Sequence, residues 1–381
     1  MAFCNMDFNL SEEQEAVYQM ALGLGRKHIS THARSWENQG TIPKDLWRTL
    51  GEYGLGGINT SIDYGGSSLK RLDSVLIFEA LSMACPSVAA FLSIHNMCGW
   101  MIDTFGSNEL KEKYLEKTNE MSCIVSYCLT EPGSGSDAAA LATKAVKLND
   151  CWELTGTKSF ISGGGYSDSY IIMCRTKQED ISAIIVDDNS PGLSFGGLED
   201  KMGWRAQPTR QVQMDNCRVP LENLLGEPGK GFNYAMAGLD GGRLNIAACS
   251  LGGAQQAFNQ TLAYMNERKA FGKRLDEFQA LQFRVADMET DLQVARNFLR
   301  FAAWKMDEGH ADKTKFCAMA KRYVTDVCWK VANECLQLHG GYGYLAEYGI
   351  EKTVRDLRVH QILEGTNEIM RKVIFRELKK E

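Results

Sequence analysis

The chain has 381 residues, 44% of them hydrophobic and 24% charged, with a formal net charge of −6. That length calls for two or three domains, or one large domain with subdomains, and the composition is ample for a core. The acidic balance argues against a nucleic-acid binder, which carries a basic face, and no apolar run reaches the ~18 residues that span a bilayer.

The opening "MAFCNMDFNLSEEQ" has neither a signal-peptide apolar segment nor an Arg/Ser-rich presequence. A cytosolic protein and one whose targeting segment has been removed both fit. Residues 1–122 read as helical. Ser11 is a plausible N-cap for "LSEEQEAVYQMALGLGRKHI", and Ser74 to Asp103 is rich in Ala, Leu and Met with few breakers. His95 falls in this apolar stretch and reads as a packed, satisfied histidine rather than a ligand. Residues 123–232 change character: "CIVSYCLT", "WELTGTKSFI", "SYIIMCRT", "ISAIIVDD" and "RQVQMDNCRV" are short β-rich runs parted by turn residues, the pattern of a small sandwich or barrel. Residues 233–381 return to helix. From Phe278 the apolar positions Leu281, Val285, Met288, Leu292, Ala295, Leu299, Ala302 and Met306 alternate three and four apart, and Ala320 to Leu338 repeats the pattern. Two such helices predict an up-down four-helix bundle. The expected fold is thus a multidomain α+β protein. It has an N-terminal helical domain, a middle β-barrel or sandwich domain and a C-terminal four-helix bundle.

"SYCLTEPGSGSDAA" contains Gly133-Ser134-Gly135-Ser136-Asp137-Ala138, which fits the G-x-G-x-x-G/A dinucleotide fingerprint. A Rossmann turn must feed a helix that packs back on a parallel sheet. Here Val146 and Leu148 flank Lys147, Asn149-Asp150 is a turn dipeptide, and Trp152 and Leu154 alternate with Glu153 and Thr155. That is a hairpin, so the Rossmann reading fails on context. A flexible surface loop remains open. So does a polar-ligand site made by backbone N–H groups and the hydroxyls of Thr130, Ser134 and Ser136.

Further along, Arg243 in "LDGGRLNIA" stands at the start of a helical run. Arg268, Lys269, Lys273 and Arg274 surround Phe271; they form a solvated face or a phosphate clamp. Gly340-Gly341 in "LHGGYGYL" reads first as a helix stop. Glu364 closes the apolar pair Ile362-Leu363, one residue before Gly365 and the predicted N-cap Thr366. In apolar surroundings its carboxyl would titrate near neutrality and serve as a general base; in solvent it is an ordinary loop acid. The cysteines are scattered, with no C-x-x-C pair and no His/Cys ligand spacing, so they read as buried or free thiols and no metal site is expected.

Taken together, "CLTEPGSGSDAA", "FISGGG", "RKAFGKRL", "QLHGGYGYL" and "RVHQILEGTNEIMR" resemble the motifs of the flavin-dependent acyl-CoA dehydrogenases, in order and across essentially the whole chain. "SIHNMCGWMID", "FEALS" and "QILEGTNE" look most like the branch that acts on isobutyryl-CoA in valine breakdown. The resemblance implies FAD as cofactor, an acyl-CoA substrate, electron-transfer flavoprotein as acceptor, a homotetramer and a mitochondrial matrix location. It implies Glu364 as the catalytic base. The family's alternative base position is Gly242 here. Tyr127, Cys128, Leu129, Thr130, Gly135 and Ser136 would line the flavin, and Ser136 would also touch the acyl-CoA. Phe160, Ile161 and Ser162 would cover the isoalloxazine; many relatives have Trp at Phe160. Arg268, Phe271, Phe278 and Gln279, with Gln337, Leu338, His339, Gly340 and Gly341, would reach FAD across a subunit interface. Thr366, Asn367 and Glu368 would hold its diphosphate or adjacent parts. Asp240, Gly241, Gly242, Arg243 and Arg376 would contact the acyl-CoA. A short branched acyl group would suit bulky side chains between His95 and Trp100 and at Leu363, with 2-methylbutyryl-CoA and butyryl-CoA as competitors. An acyl-CoA oxidase and a helical scaffold that has lost catalysis are the rival readings.

Overall fold

A computed structural model describes residues 9–380. The residues 1–8 read for a leader lie outside the described ones. Six helices come first: α1 (Glu12–Leu24), α2 (Ala33–Gln39), α3 (Lys44–Glu52), α4 (Arg71–Ala84), α5 (Pro86–Phe105) and α6 (Asn108–Asn119). Ser11 caps α1 as predicted, in a reciprocal capping box: Gln14 N–H donates to Ser11 Oγ and Ser11 N–H to Gln14 Oε1. Pro86 opens α5 in its first turn, where the missing N–H would have no helical acceptor anyway, and Cys85 before it is extended.

Eight strands follow: β1 (Val125–Cys128), β2 (Lys144–Lys147), β3 (Cys151–Ser162), β4 (Ser169–Arg175), β5 (Ile181–Asp187), β6 (Leu193–Phe195), β7 (Thr209–Pro220) and β8 (Leu224–Leu225). They form one sheet in the order β6-β7-β3-β2-β4-β5-β8, with β1 parallel to β4 in the register Val125↔Ser169. The predicted hairpin is present: β2 runs antiparallel to β3 from Lys144↔Thr155 to Lys147↔Trp152. β4 and β5 are apolar runs buried on both faces. Alternation sends Ile171, Met173, Ala183 and Ile185 toward α5, α6 and α7, and Tyr170, Ile172, Cys174, Ile184 and Val186 into the sheet's own core.

The chain then forms α7 (Gly231–Glu267), a small hairpin of β9 (Lys269–Ala270) and β10 (Lys273–Arg274), and α8 (Gln279–Asp307). Next come α9 (Lys313–His339), α10 (Ile350–Arg358) and α11 (Asn367–Leu378). α7, α8 and α9 pack together, with α10 and α11 against α9 and α4 against α7. The predicted seams are buried, at Met288, Leu292, Ala295, Leu299 and Ala302 on α8 and at Val324, Val331 and Cys335 on α9. One core joins residues of α1 to α5 with residues of α7 to α10.

Arg243 does not begin a helix. It lies well inside α7, a helix of 37 residues that runs through Gly238, Gly241, Gly242, Gly252 and Gly253. Each glycine costs a helix about 1 kcal/mol against alanine. Packing requires them: a Cβ on Gly252 would stand 2.0 Å from the Glu79 carbonyl oxygen of α4, and one on Gly253 would stand 2.8 Å from Pro86 Cγ of α5.

Candidate active site

The turn between α10 and α11 presents Glu364. Its backbone is left-handed, with φ +57° at Glu364 and +88° at Gly365. A side chain in that region costs on the order of 1 kcal/mol or more, so something must hold it. Two cations do. Arg243 Nε donates to the Glu364 carbonyl at 3.3 Å, and Lys321 Nζ donates to the Gly365 carbonyl at 2.8 Å. Thr366 caps α11, accepting from the Ile369 N–H, as predicted. Upstream, Trp204 Nε1 donates to His360 Nε2 and the other ring nitrogen of His360 meets Ser250 Oγ at 2.7 Å, tying the segment to α7.

The Glu364 carboxyl lies on the backbone of α7. A Cβ on Gly242 would be 2.6 Å from Oε2. Oε2 is closed off from solvent and has no hydrogen-bond partner. Burial pushes the carboxyl up to about 7, against the opposing pull of Arg243 and Lys321. Glu364 is therefore not a solvated loop acid. Arg243 is itself neutralised: its NH1 donates to Asp240 Oδ1 at 2.7 Å, and Asp240 Oδ2 accepts from Thr314 Oγ1 at 2.6 Å.

Two other elements converge here. Tyr127 on β1 has a buried, unpartnered hydroxyl, and burial followed by the Glu364 charge raises its pKa. Cys98 on α5 is raised by burial, then by Cys128 and Glu364. Met97, Cys98, Met101, Tyr127, Leu129 and Leu239 share one apolar cluster, of which Cys98 and Tyr127 face the base. His95 is the packed histidine that was expected: its Nδ1 accepts from Val125 N–H, its Nε2 faces the Thr118 carbonyl at 2.9 Å, and burial lowers it to about 4.

The glycine-serine loop leaves β1 and runs into a single 3₁₀ turn (Ala138–Ala140) and then β2; no helix N-terminus follows. Ser134 Oγ is committed to the Asp137 carbonyl at 2.6 Å, so it is not among the free hydroxyls, whereas Ser136 is exposed. The loop is pinned from below. Lys158, wholly buried, donates to Glu131 Oε1 at 2.7 Å and to the Leu129 carbonyl at 3.1 Å, while Glu131 accepts from the Ala142 and Thr143 N–H groups. Ser159 N–H donates to the Thr130 carbonyl, which sets the neighbouring Phe160 beside this loop. Phe160 sits at a bulge between β3 and β7 with φ +58° and is 68% exposed.

A second cleft, of about 520 Å³, gathers Arg268, Gln337, Leu338, His339, Gly340 and Gly341 with Tyr264 and Tyr342; its walls include none of the Glu364 cluster. The Arg268 guanidinium lies 5.2 Å from the Tyr342 ring centroid. His339 Nδ1 faces the Cys335 carbonyl, its ring stacks on Tyr264 and its Nε2 is unpartnered. Phe271 tips the small hairpin with φ +52° and is 97% exposed; Phe278 caps α8 and Gln279 beside it is exposed.

Four expected site residues are placed differently from the others. The side chains of Cys128 and Ile161 point into the sheet core, so only their backbone can face a ligand. The Asn367 amide is spent on Lys321, Arg322, Thr325 and Asp326, because it seals the start of α11 against α9. Arg376 lies on an exposed face of α11, paired with Glu377. Lys321 and the Lys158–Glu131 pair escaped sequence reasoning, since a lysine in "AKRYV" or "GTKSF" reads as solvated. For Lys321 the signal was its spacing: Cys317, Lys321, Thr325 and Cys328 fall on one helical face, and all are buried.

Residues 11–122, 126–217 and 229–379 match, in turn, the N-terminal, middle and C-terminal domain profiles of acyl-CoA dehydrogenase. A mitochondrial isobutyryl-CoA dehydrogenase of Bos taurus is 46% identical over 375 residues, 98% of this chain and 90% of that protein. Its namesake in Dictyostelium discoideum is 47% identical over 381 residues, 99% of this chain and 92% of that protein. Among solved structures, butyryl-CoA dehydrogenase from Megasphaera elsdenii superposes with a TM-score of 0.95 at 37% identity, covering 98% of this chain and 100% of that one. One described as the electron transferring flavoprotein of Acidaminococcus fermentans gives 0.96 at 38%, covering 99% and 100%.

Proposed function

This chain belongs to the acyl-CoA dehydrogenase family of FAD enzymes, and on that premise we propose that it converts isobutyryl-CoA to methacrylyl-CoA with Glu364 as base. It acts in valine breakdown in the mitochondrial matrix, as a homotetramer that passes electrons to electron-transfer flavoprotein. The observation that carries the reading is the Glu364 carboxyl, whose Oε2 is shielded from solvent, unpaired and poised near neutrality at the meeting point of β1, α5 and α7.

The residues present fit FAD. Thr130 and Phe160 stand side by side at the sheet, with Phe160 free to lie against a planar ring. The cleft of Arg268 and Gln337–Gly341 offers a guanidinium and glycine backbone to a diphosphate and its neighbouring groups. As the family resemblance implies, that cleft serves the cofactor of a neighbouring copy, with the Phe271 hairpin reaching across. Asp240 to Arg243 and Ser136 face the thioester end of the substrate.

The thioester carbonyl acidifies the α-hydrogen. Glu364, ionised, takes that proton on Oε2. The chemistry FAD supplies when bound is acceptance of the β-hydrogen with its electron pair. Charge growing on the thioester oxygen needs a donor, and the Glu364 N–H, which donates to no other described group, is aimed from the same left-handed turn. The apolar cluster of Met97, Cys98, Met101 and Leu239 would keep water from the base and limit acyl length.

Anaerobic titration with short acyl-CoAs tests both parts. Isobutyryl-CoA is expected to bleach the flavin best; since a methylene discriminates by only ~1–3 kcal/mol, 2-methylbutyryl-CoA or butyryl-CoA as the best bleaching agent would redirect the substrate. Glu364→Gln is expected to hold FAD and lose at least ~10²–10⁴-fold in bleaching rate. Normal bleaching by that variant would sink the assignment, and a colourless wild-type protein would revive the scaffold reading.

A further inference from the structure

Lys321 is the buried charge that the mechanism above leaves without a task. It projects from α9, is 0% exposed, and forms no ion pair with any described carboxylate. Its ammonium has three donors. One goes to the Gly365 carbonyl at 2.8 Å and one to Asn367 Oδ1 at 2.9 Å. Both acceptors flank the left-handed turn of Glu364. A buried ammonium with only neutral acceptors is costly, and a hydrocarbon side chain of the same length would pack there without that cost. Arg243 holds the adjacent Glu364 carbonyl, so the two cations share the turn.

The anions facing Lys321 are few. Burial lowers Lys321 to about 7; against that, Glu364 from the turn favours its charge most, with lesser help from Asp326 on its own helix and Glu368 on α11. Arg243 on α7 opposes it. From the other side, Glu364 is favoured in its ionised form by Arg243 and then Lys321, while Tyr127 and Cys98 face it as groups whose own ionisation it suppresses. Arg243 is already balanced by Asp240 at 2.7 Å. Lys321 has no such ion-pair partner among the described carboxylates, and of the anions that act on it Glu364 acts most.

We propose that Lys321 is a positioning residue for the base: it clamps the Gly365 carbonyl to hold the turn, and its ammonium, when protonated, favours the ionised form of Glu364 in a dry site. This rests on Glu364 being the base. Removing the charge leaves a buried carboxyl with only a neutralised arginine nearby, so it ionises at higher pH. Removing the clamp also loosens the turn. The two contributions are separable, because glutamine keeps a donor for the carbonyl and lacks the charge.

The test uses the FAD-loaded enzyme, with isobutyryl-CoA as substrate and anaerobic stopped-flow reduction of the flavin as the readout from acid to alkaline pH. In Lys321→Gln the rising limb is expected to move up by about one to three pH units, with FAD content and plateau rate largely kept. In Lys321→Met the same shift is expected together with a plateau at least about tenfold lower. Lys321→Arg is expected to restore the wild-type limb. A Lys321→Gln profile that superimposes on wild type, with FAD bound, would overturn the charge role whether or not Lys321→Met folds. Glu364→Gln, run alongside, keeps the two claims apart. If it reduces flavin normally the base assignment fails, whereas an inert Glu364→Gln with an unshifted Lys321→Gln removes only the role given to Lys321.

Discussion

At Glu364, burial and two cations pull in opposite directions, and burial prevails, leaving the carboxyl at about 7. The base works only when ionised, so its raised pKa places the gain of activity in the neutral range. At pH 6 about one site in ten is ionised, and above pH 8 nearly all are. The rate of flavin reduction is therefore expected to climb through a rising limb near pH 7, a range over which Lys321, lowered by burial to about 7, titrates as well. Stopped-flow rates that stay flat between about pH 5 and 8 would show that another group takes the proton. The neighbouring histidines do not blur this limb, because burial lowers His95 to about 4 and His360 to about 3. Both stay neutral throughout.

At the scale of elements, α7 sets the site's geometry by what it omits. Gly242 leaves room for the carboxylate, Gly241 for the Arg71 guanidinium, Gly252 for the α4 backbone. Gly252→Ala pits a helix-propensity gain of about 1 kcal/mol against a Cβ placed 2.0 Å from the Glu79 carbonyl oxygen. Overpacking at a backbone contact costs typically ~1–3 kcal/mol or more, so the clash wins. A lower melting temperature is expected with an unchanged rate per bound FAD; a higher one would show that α4 and α7 can move apart freely. The same glycines explain what the sequence left illegible. The seams of α8 and α9, the capping box at Ser11 and the β2–β3 hairpin follow local rules of period and turn chemistry, and they read directly. α7 breaks its local rule for a tertiary reason, so Arg243, well inside it, reads as a helix start. Glu364 was legible as an acid in an apolar run, but its burial was not, because the covering groups Gly242, Tyr127 and Cys98 come from three distant segments. Lys321 was illegible for the same reason in reverse: its acceptors are carbonyl and amide oxygens that no pattern announces.

For the whole molecule, the proposed tetramer would give the exposed hairpin and the cleft beside it a neighbouring copy to meet. Phe271 is 97% exposed, and Arg268 lines a cleft whose walls include none of the Glu364 cluster. Light scattering is expected to give about four chain masses. Arg268→Ala is expected to keep that mass and release FAD more readily, read as flavin fluorescence on heating; full FAD retention would separate the hairpin from the cofactor.

Phe160, Phe271 and Glu364 share a backbone conformation that any glycine would relax. Selection for heat resistance alone would therefore favour glycine or asparagine at all three, each change easing strain on the order of 1 kcal/mol while removing a ring or the base. Directed evolution toward a hardier variant would drift toward a robust protein that no longer reacts. A library built on this scaffold should hold these three positions fixed and seek its gains elsewhere, for instance among the exposed lysines and glutamates of the outer helices.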